Sequence, residues 1–234
     1  MPGVLTVEIW SDVVCPWCYV GKRRFEAALA QFDGEVELVW RSFELDPSAG
    51  PSPEHGGDYA HRLAKKYGGG LERAQSMIDT MTQTAAAEGL DFRFDLARPG
   101  NTFDAHRLLH LAKERGIQDA VKERLDRATF TEGLRVSDHD ELVRVVTGAG
   151  LDADEARAVL ASDRYADDVR ADEEQARAYG ISGVPFFVVQ SSYGVSGAQP
   201  AELLLQVLQE ASKTRTLVPV TGSAPSCDDD SCAV

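Results

Sequence analysis

The alternation of apolar and polar residues predicts a strand, a helix and a second strand at the start of the chain. Val4 to Trp10 are mostly β-branched or aromatic and predict a buried strand. From Tyr19 to Phe32, apolar side chains recur at helical spacing, with charged residues on the other side. Val36 to Phe43 alternates again and predicts a strand. Because such a unit forms a right-handed crossover, we expect the two strands to be parallel.

The middle of the chain predicts helices and no strand. A loop rich in proline and glycine begins near Pro47. Helix starts are indicated at Asn101-Thr102 and at Asp152, where short polar side chains can cap free N–H groups. The predicted helices are Tyr59–Tyr67, Leu71–Ala87, Thr102–Arg115, Gln118–Thr131, Asp138–Thr147, Glu155–Ala161 and Tyr165–Tyr179.

Strand character returns near the end of the chain. Phe186 to Gln190 predicts a strand, and Tyr193 to Val195 a short antiparallel partner after a serine turn. A helix with one apolar face follows Pro200. The pattern therefore predicts an α/β unit split by a helical insertion. The expected parts are residues 1–50 and 179–212 for the two halves, 51–178 for the insertion, and 213–234 for a flexible tail.

Composition narrows the class of protein and its partners. The 234 residues are 43% hydrophobic, enough for a sizeable core. With 24 basic and 38 acidic residues the formal charge is −14, which disfavours binding to nucleic acid or to an anionic membrane. Acidic residues concentrate between Leu151 and Gln175, which we interpret as a solvated helix surface. The first residues lack the pattern of a secretory signal, so the expected location is cytoplasmic.

The candidate chemistry lies at Cys15-Pro16-Trp17-Cys18, where the first strand meets the first helix. Pro16 suits the first helical position, which makes Cys15 the N-cap. Free N–H groups and the positive end of the helix dipole would stabilise a thiolate there, so Cys15 is the expected nucleophile. Cys18 lies one turn further on and is the expected resolving thiol. This reaction requires no bound cofactor.

Other interpretations of the cysteines remain open. The C-x2-C spacing of Cys15 and Cys18 is also that of half a zinc site. Cys227 and Cys232, spaced C-x4-C around three aspartates, could form a second dithiol that exchanges with the first pair. They could equally be tail cysteines that oxidise adventitiously, or could complete a site with zinc bound by all four thiols.

Val184-Pro185 is the second candidate constellation. The pair follows a Gly-x-x-Gly segment and opens a predicted strand, where a split α/β fold returns to the end of its first strand. We expect a cis peptide bond, which would leave the backbone groups of Val184 available to an extended peptide. The alternative is an ordinary loop proline.

Several other polar or aromatic residues are candidates for the same site. Trp17, between the cysteines, is expected to be exposed and to contact substrate. Asp12 and Glu44 are candidate proton acceptors for the resolving thiol, or else simple solvated carboxylates. His106 and His110 have the i, i+4 spacing of a metal-binding pair, although a core or surface histidine is the more common case.

Three separated motifs resemble a known family. Cys-Pro-Trp-Cys after a strand, a helical insertion, and Gly-Val-Pro-Phe-Phe at 183–187 are similar to the DsbA family of the thioredoxin superfamily. More narrowly, the segments 11–22, 101–107 and 180–187 resemble FrnE-type proteins, cytoplasmic relatives of DsbA. The resemblance covers residues 4 to about 212 and leaves out the tail.

The resemblance implies a thioredoxin fold with a large all-helical insertion. It also implies a protein-disulfide oxidoreductase or isomerase, with Cys15 and Cys18 as the redox pair and Pro185 as a cis proline. The expected partners are protein or peptide thiols and disulfides, with glutathione or a thioredoxin-type protein as reductant.

Two alternative functions belong to other classes. Relatives with the same fold include glutathione-dependent enzymes of the 2-hydroxychromene-2-carboxylate isomerase type, which need one thiol-activating position; the presence of both Cys15 and Cys18 argues against that assignment. A non-catalytic metal-binding module is the other alternative.

Overall fold

The computed structural model describes residues 4–213, whose four strands form one mixed sheet. Strand β1 pairs in parallel with β2 and antiparallel with β3, and β3 pairs antiparallel with β4, giving the order β2-β1-β3-β4. The predicted parallel and antiparallel pairs are confirmed. The strands are β1 (Leu5–Ser11), β2 (Val36–Ser42), β3 (Phe186–Val189) and β4 (Tyr193–Ser196).

Seven of the helices in this part of the chain lie between β2 and β3 in sequence, as the pattern predicted. The first helix ends at Leu29, before Phe32, because residues 30–32 form a tight turn in which Phe32 still packs against the sheet. The helices are α1 (Pro16–Leu29), α2 (Tyr59–Tyr67), α3 (Gly70–Ala87), α4 (Phe103–Glu114), α5 (Gln118–Thr131), α6 (His139–Thr147), α7 (Ala153–Leu160), α8 (Ala166–Ala178) and α9 (Ala201–Lys213).

Two large apolar clusters hold the sheet and the helical segment. Helices α1 and α9 cover one face of the sheet, where Phe25 packs against Phe187 with ring centroids 5.5 Å apart. The other cluster is formed mainly by α4 to α7 and includes Val13, from the turn before Cys15. Complete burial of a valine side chain stabilises a fold by about 1.5–3 kcal/mol. Val13 therefore joins the turn that carries the cysteines to the helical core.

The acidic segment is only partly a solvated surface, so that interpretation was wrong for two of its residues. Asp172 and Glu173 in α8 are buried. Asp172 accepts a hydrogen bond from the Ser42 N–H at 2.9 Å and pairs with Arg41 at 2.8 Å. Helix α8 packs against β2. The buried Asp172 carboxylate therefore accepts hydrogen bonds from donor groups of β2 that have no partner within the sheet.

Helix α1 is bound to α5 through a nearly buried lysine. Lys22 is 3% exposed and lies 3.3 Å from Asp119 and 3.1 Å from Glu123. The Tyr19 hydroxyl donates a hydrogen bond to Glu123 at 2.7 Å. Because both contacts come from the first two turns of α1, they fix the helix that begins at the cysteines.

Helix α1 also approaches the loop before β3 very closely. A Cβ atom at Gly21 would lie only 2.9 Å from the Cγ atom of Pro185. Carbon atoms rarely approach closer than about 3.5 Å without repulsion. Gly21 is therefore the position that permits α1 and Pro185 to touch.

We predict that Gly21→Ala destabilises the protein. Alanine favours a helix over glycine by about 1 kcal/mol, but the added carbon collides with a ring fixed by the backbone, and such overpacking costs about 1–3 kcal/mol. Urea unfolding should therefore show a lower free energy of unfolding than in the wild type. Gly50→Ala is the matched control, because its Cβ meets no atom within 4 Å. A Gly21→Ala variant as stable as the wild type would contradict the proposed contact.

Candidate active site

Cys15 occupies the N-cap of α1, as predicted. Its backbone has the extended conformation of an N-cap (φ −92°, ψ 109°), and Pro16 begins the helix. The Cys15 N–H donates to the Asp12 carbonyl at 3.2 Å, and the Cys18 N–H donates to the Cys15 carbonyl at 3.0 Å. Both cysteines are free thiols, and both are largely buried. The Cys15 side chain accepts no capping hydrogen bond from the first turn of the helix, so its sulfur lies at the helix start without a backbone N–H bound to it.

The structure brings Val184 and Pro185 to the cysteines. The Val184–Pro185 peptide bond is cis, as predicted. The Cys15 thiol donates to the Val184 carbonyl with a sulfur–oxygen distance of 3.5 Å, although 169 positions separate the two residues. Within residues 4–213 the Val184 N–H donates a hydrogen bond to no acceptor. That N–H is thus an unused donor beside the first cysteine.

Cys18 differs from Cys15 in its surroundings. Burial raises the pKa of the Cys18 thiol well above its ordinary value, and the neighbouring Cys15 sulfur acts in the same direction. The positive charge of Lys122 and a backbone hydrogen bond from Asp12 lower the Cys18 pKa and oppose this shift in part. Cys18 is therefore a protonated thiol that must lose its proton before it can attack a disulfide.

A buried ion pair lies on the α5 side of Cys18 and was missed from the sequence. Lys122 and Asp126 are both fully buried, with the ammonium 2.5–2.6 Å from the two carboxylate oxygens. Burial raises the pKa of Asp126 from its ordinary 3.8 to about 6, although Lys122 opposes the shift. In the sequence these residues look like an ordinary exposed i, i+4 pair. The available signal was their position beside the apolar stripe that contains Val121 and Leu125.

Asp12 and Glu44 are buried, so the view of them as solvated carboxylates is wrong. Asp12 accepts a hydrogen bond from the Leu45 N–H at 2.8 Å and so ties the turn before Cys15 to the end of β2. Glu44 pairs with Arg170 at 2.5 Å; burial raises the pKa of Glu44, and Arg170 opposes that shift. Both carboxylates thus already serve as acceptors for other groups, and of the two only Asp12 lines the cleft beside Cys15.

His106 and His110 lie near different carboxylates, and among the described residues neither ring nitrogen of His106 has a hydrogen-bond partner. His106 is buried, with its Nε2 atom 3.5 Å from Asp12, whereas the Nε2 atom of His110 lies 3.1 Å from the Ser42 hydroxyl and 3.2 Å from Asp172. Across the described part of the chain, no three His, Cys, Asp or Glu side chains are grouped so as to hold a metal ion. The i, i+4 spacing therefore reflects two contacts in the protein interior.

A cleft of about 1380 Å³ opens at Cys15. Cys15, Trp17 and Val184 line one side, and helices α2 and α3 line the other. The Trp17 side chain is 43% exposed, as predicted. Cys227 and Cys232 lie outside the described residues.

Within residues 4–213, no helix has both the length and the apolar character that crossing a membrane would require.

Comparisons with known proteins place the chain in a family. Residues 6–209 match the family described as DSBA-like thioredoxin domain. The chain is 30% identical over 212 residues to the uncharacterized protein YwbO of Bacillus subtilis (strain 168), covering 89% of this chain and 98% of that protein. A crystal structure of a probable DsbA oxidoreductase, SCO1869, from Streptomyces coelicolor is 49% identical, with a TM-score of 0.84 and coverage of 98% of this chain and 99% of that one.

A more distant solved structure shares the fold alone. A 2-hydroxychromene-2-carboxylate isomerase is 13% identical, with a TM-score of 0.63, and covers 89% of this chain and 97% of that one. The family match extends over nearly the whole described chain. The sheet order and the helices between β2 and β3 indicate the same fold. The chain belongs to the DSBA-like thioredoxin domain family and has a thioredoxin fold with a large helical insertion.

Proposed function

We propose that the protein is a thiol–disulfide oxidoreductase or isomerase that acts on protein or peptide disulfides. The observation that carries this proposal is the position of Cys15, at the start of α1 and 3.5 Å from the Val184 carbonyl, at the mouth of a large cleft. The helix start stabilises a thiolate, and the cleft gives a substrate sulfur access to it.

The size of the cleft supports a polypeptide substrate. Pockets for small molecules usually measure roughly 300–1,000 Å³, whereas this cleft holds about 1380 Å³. An extended peptide can also receive a hydrogen bond from the Val184 N–H, in the manner of a strand added to a sheet edge. Trp17 and the Val184–Pro185 segment would then contact the residues on either side of the substrate cysteine.

The first step of the proposed reaction is attack by the Cys15 thiolate on a substrate disulfide. A bond forms between the Cys15 sulfur and one substrate sulfur, the substrate disulfide breaks, and the other substrate sulfur leaves as a thiolate. The enzyme and one half of the substrate are now joined as a mixed disulfide.

In the second step Cys18 resolves the mixed disulfide. The Cys18 sulfur attacks the Cys15 sulfur and a Cys15–Cys18 disulfide forms, while the second substrate sulfur leaves and takes up the Cys18 proton as a thiol. The substrate gains two electrons and the dithiol loses two. After this forward sequence, glutathione or a thioredoxin-type protein would reduce the Cys15–Cys18 disulfide again. The reverse sequence starts from that disulfide, oxidises a substrate dithiol and leaves the enzyme in its dithiol form.

The alternative functions give different results in the same assays. A glutathione-dependent isomerase needs one thiol-activating position and would not depend on Cys18. A metal-binding module would need neither cysteine for disulfide exchange. The cytoplasmic location also stays a prediction.

We predict that the two cysteines have separable roles. Cys15→Ser should lower insulin reduction and refolding of scrambled ribonuclease at least about a hundredfold, because the attacking thiolate is lost. Cys18→Ser should still attack but should accumulate a mixed disulfide, detectable on a non-reducing gel. Circular dichroism spectra equal to that of the wild type serve as the control for folding. Full activity of Cys15→Ser would exclude the redox assignment. Full turnover by Cys18→Ser in insulin reduction would favour the glutathione-dependent isomerase, which needs one thiol-activating position.

We further propose that Cys227 and Cys232 form a second dithiol that passes electrons to Cys15 and Cys18. The neighbouring aspartates make these thiols slower nucleophiles, which suits a relay better than a first attack. Cys227→Ser/Cys232→Ser should therefore slow re-reduction of the active-site disulfide severalfold and leave the first attack on substrate unchanged. Stopped-flow measurement of both steps checks this, and equal rates for variant and wild type would contradict it.

We predict that the protonation of the buried Asp126 makes the stability of the protein depend on pH. Its pKa is about 6 in the folded protein against an ordinary 3.8, so the folded state binds more protons between these pH values. Wild-type stability should therefore fall relative to Asp126→Asn as the pH rises from 4 to 7, by roughly 3 kcal/mol. Urea unfolding at several pH values measures this difference.

Asp95→Asn is the control for this titration. Arg93 lowers the pKa of the exposed Asp95 carboxyl, so wild-type stability should rise relative to Asp95→Asn as the pH increases. A difference between the wild type and Asp126→Asn that does not change with pH would contradict the raised pKa of Asp126.

A further inference from the structure

The cleft beside Cys15 has a basic rim in a protein that is acidic as a whole. Arg62, Lys65, Lys66 and Arg73, on α2 and α3, line the cleft and are exposed. The whole chain carries a formal charge of −14. The rim is therefore a local reversal of charge at the mouth of the active site.

The four basic side chains of this rim form no ion pair with other described residues. The Arg62 guanidinium donates to the Pro99 carbonyl at 3.1 Å, which leaves its charge without a counterion. Many basic residues elsewhere in the described chain are paired with acids. Examples are Lys22, Arg41, Arg107, Arg115, Arg135 and Arg170.

The acidic residues of the cleft do not neutralise the rim. Asp12 is buried and bound to the Leu45 N–H. Asp46 accepts hydrogen bonds from Ser48, and Asp58 lies 3.1 Å from His61. These two exposed carboxylates face four basic groups, so the rim keeps an excess of positive charge.

Exposed apolar side chains line the same cleft as the rim and Cys15. Trp17, Tyr67 and Met77 are 43%, 54% and 37% exposed, which is high for side chains of this kind. Helix α2 has no buried residue, although the Tyr59 ring at its start packs at a tilt against Phe94, with ring centroids 4.8 Å apart. One side of the cleft can thus give both apolar contact and positive charge to the same ligand.

We propose that the preferred substrates are polypeptide disulfides with acidic residues close to the reacting cysteine. The inference rests on the proposed function and adds a substrate class to it. Carboxylates of the substrate pair with Lys65, Lys66 and Arg73, while its apolar side chains contact Trp17 and Met77. Repulsion by the same rim disfavours substrates with flanking lysine or arginine.

The test compares two peptides of equal length, each closed by one disulfide. One carries two glutamates on each side of the disulfide and the other carries two lysines there. Reduced full-length enzyme should reduce the acidic peptide about tenfold faster in single-turnover experiments, as expected for a few exposed ion pairs. Lys65→Glu/Lys66→Glu should abolish or reverse this preference. Both residues are exposed and neither forms an ion pair, while the Lys66 ammonium lies 5.6 Å from the centre of the exposed Tyr67 ring. The substitutions should therefore have little effect on stability.

Lys113→Glu/Arg177→Glu is the matched control. It changes the net charge equally at exposed helical positions outside the cleft, and its preference should equal that of the wild type. Equal rates with both peptides would overturn the inference and leave the proposed function standing. A preference that survives in Lys65→Glu/Lys66→Glu would overturn the role of the rim.

Two further outcomes test whether the substrate must be a polypeptide and whether the protein exchanges disulfides at all. Glutathione disulfide carries carboxylates without a long peptide chain, so its reduction as fast as the acidic peptide would overturn the polypeptide part of the inference. No reaction with any of the three disulfides would overturn the proposed function itself.

Discussion

The close contact between Gly21 and Pro185 is the constraint on which the site depends. It places α1 directly against the loop that carries Val184, and the short distance from the Cys15 sulfur to the Val184 carbonyl follows from it. Helix α1 is also bound to α5 through Lys22. The cysteines, the loop and the helical insertion are therefore held in one arrangement by contacts on both sides of a single helix.

The two cysteines occupy opposite environments because of this arrangement. Cys15 lies where the helix begins and where the cleft opens, whereas Cys18 is directed into the interior between the sheet and α5. A buried thiol is costly to ionise because charge is poorly stabilised away from water, and Lys122 offsets this cost only in part. The interior thus keeps Cys18 protonated until a reaction step requires its thiolate.

The parts of the fold that depend on local pattern could be predicted from the sequence. The strands around Cys15, the N-cap and the cis bond at Pro185 all followed from residue types and their order. The burial of Lys122 with Asp126, and of Asp172 with Arg41, could not, because a charged residue is buried only when a distant element supplies its partner. The basic rim was missed for the same reason, since its residues were identified only as parts of two helices. Their position opposite Cys15 is a tertiary property.

The reversal of charge at the cleft has a kinetic consequence. At physiological ionic strength electrostatic interactions are screened over about 8 Å, so an acidic polypeptide meets the positive rim only when it is nearly in contact. In dilute salt the chain's formal charge of −14 acts at longer range and repels the same polypeptide during its approach. Added salt should therefore speed the encounter while it weakens the contacts made afterwards. Discrimination between acidic and basic substrates then arises in the bound complex and not in the rate at which substrates reach the cleft.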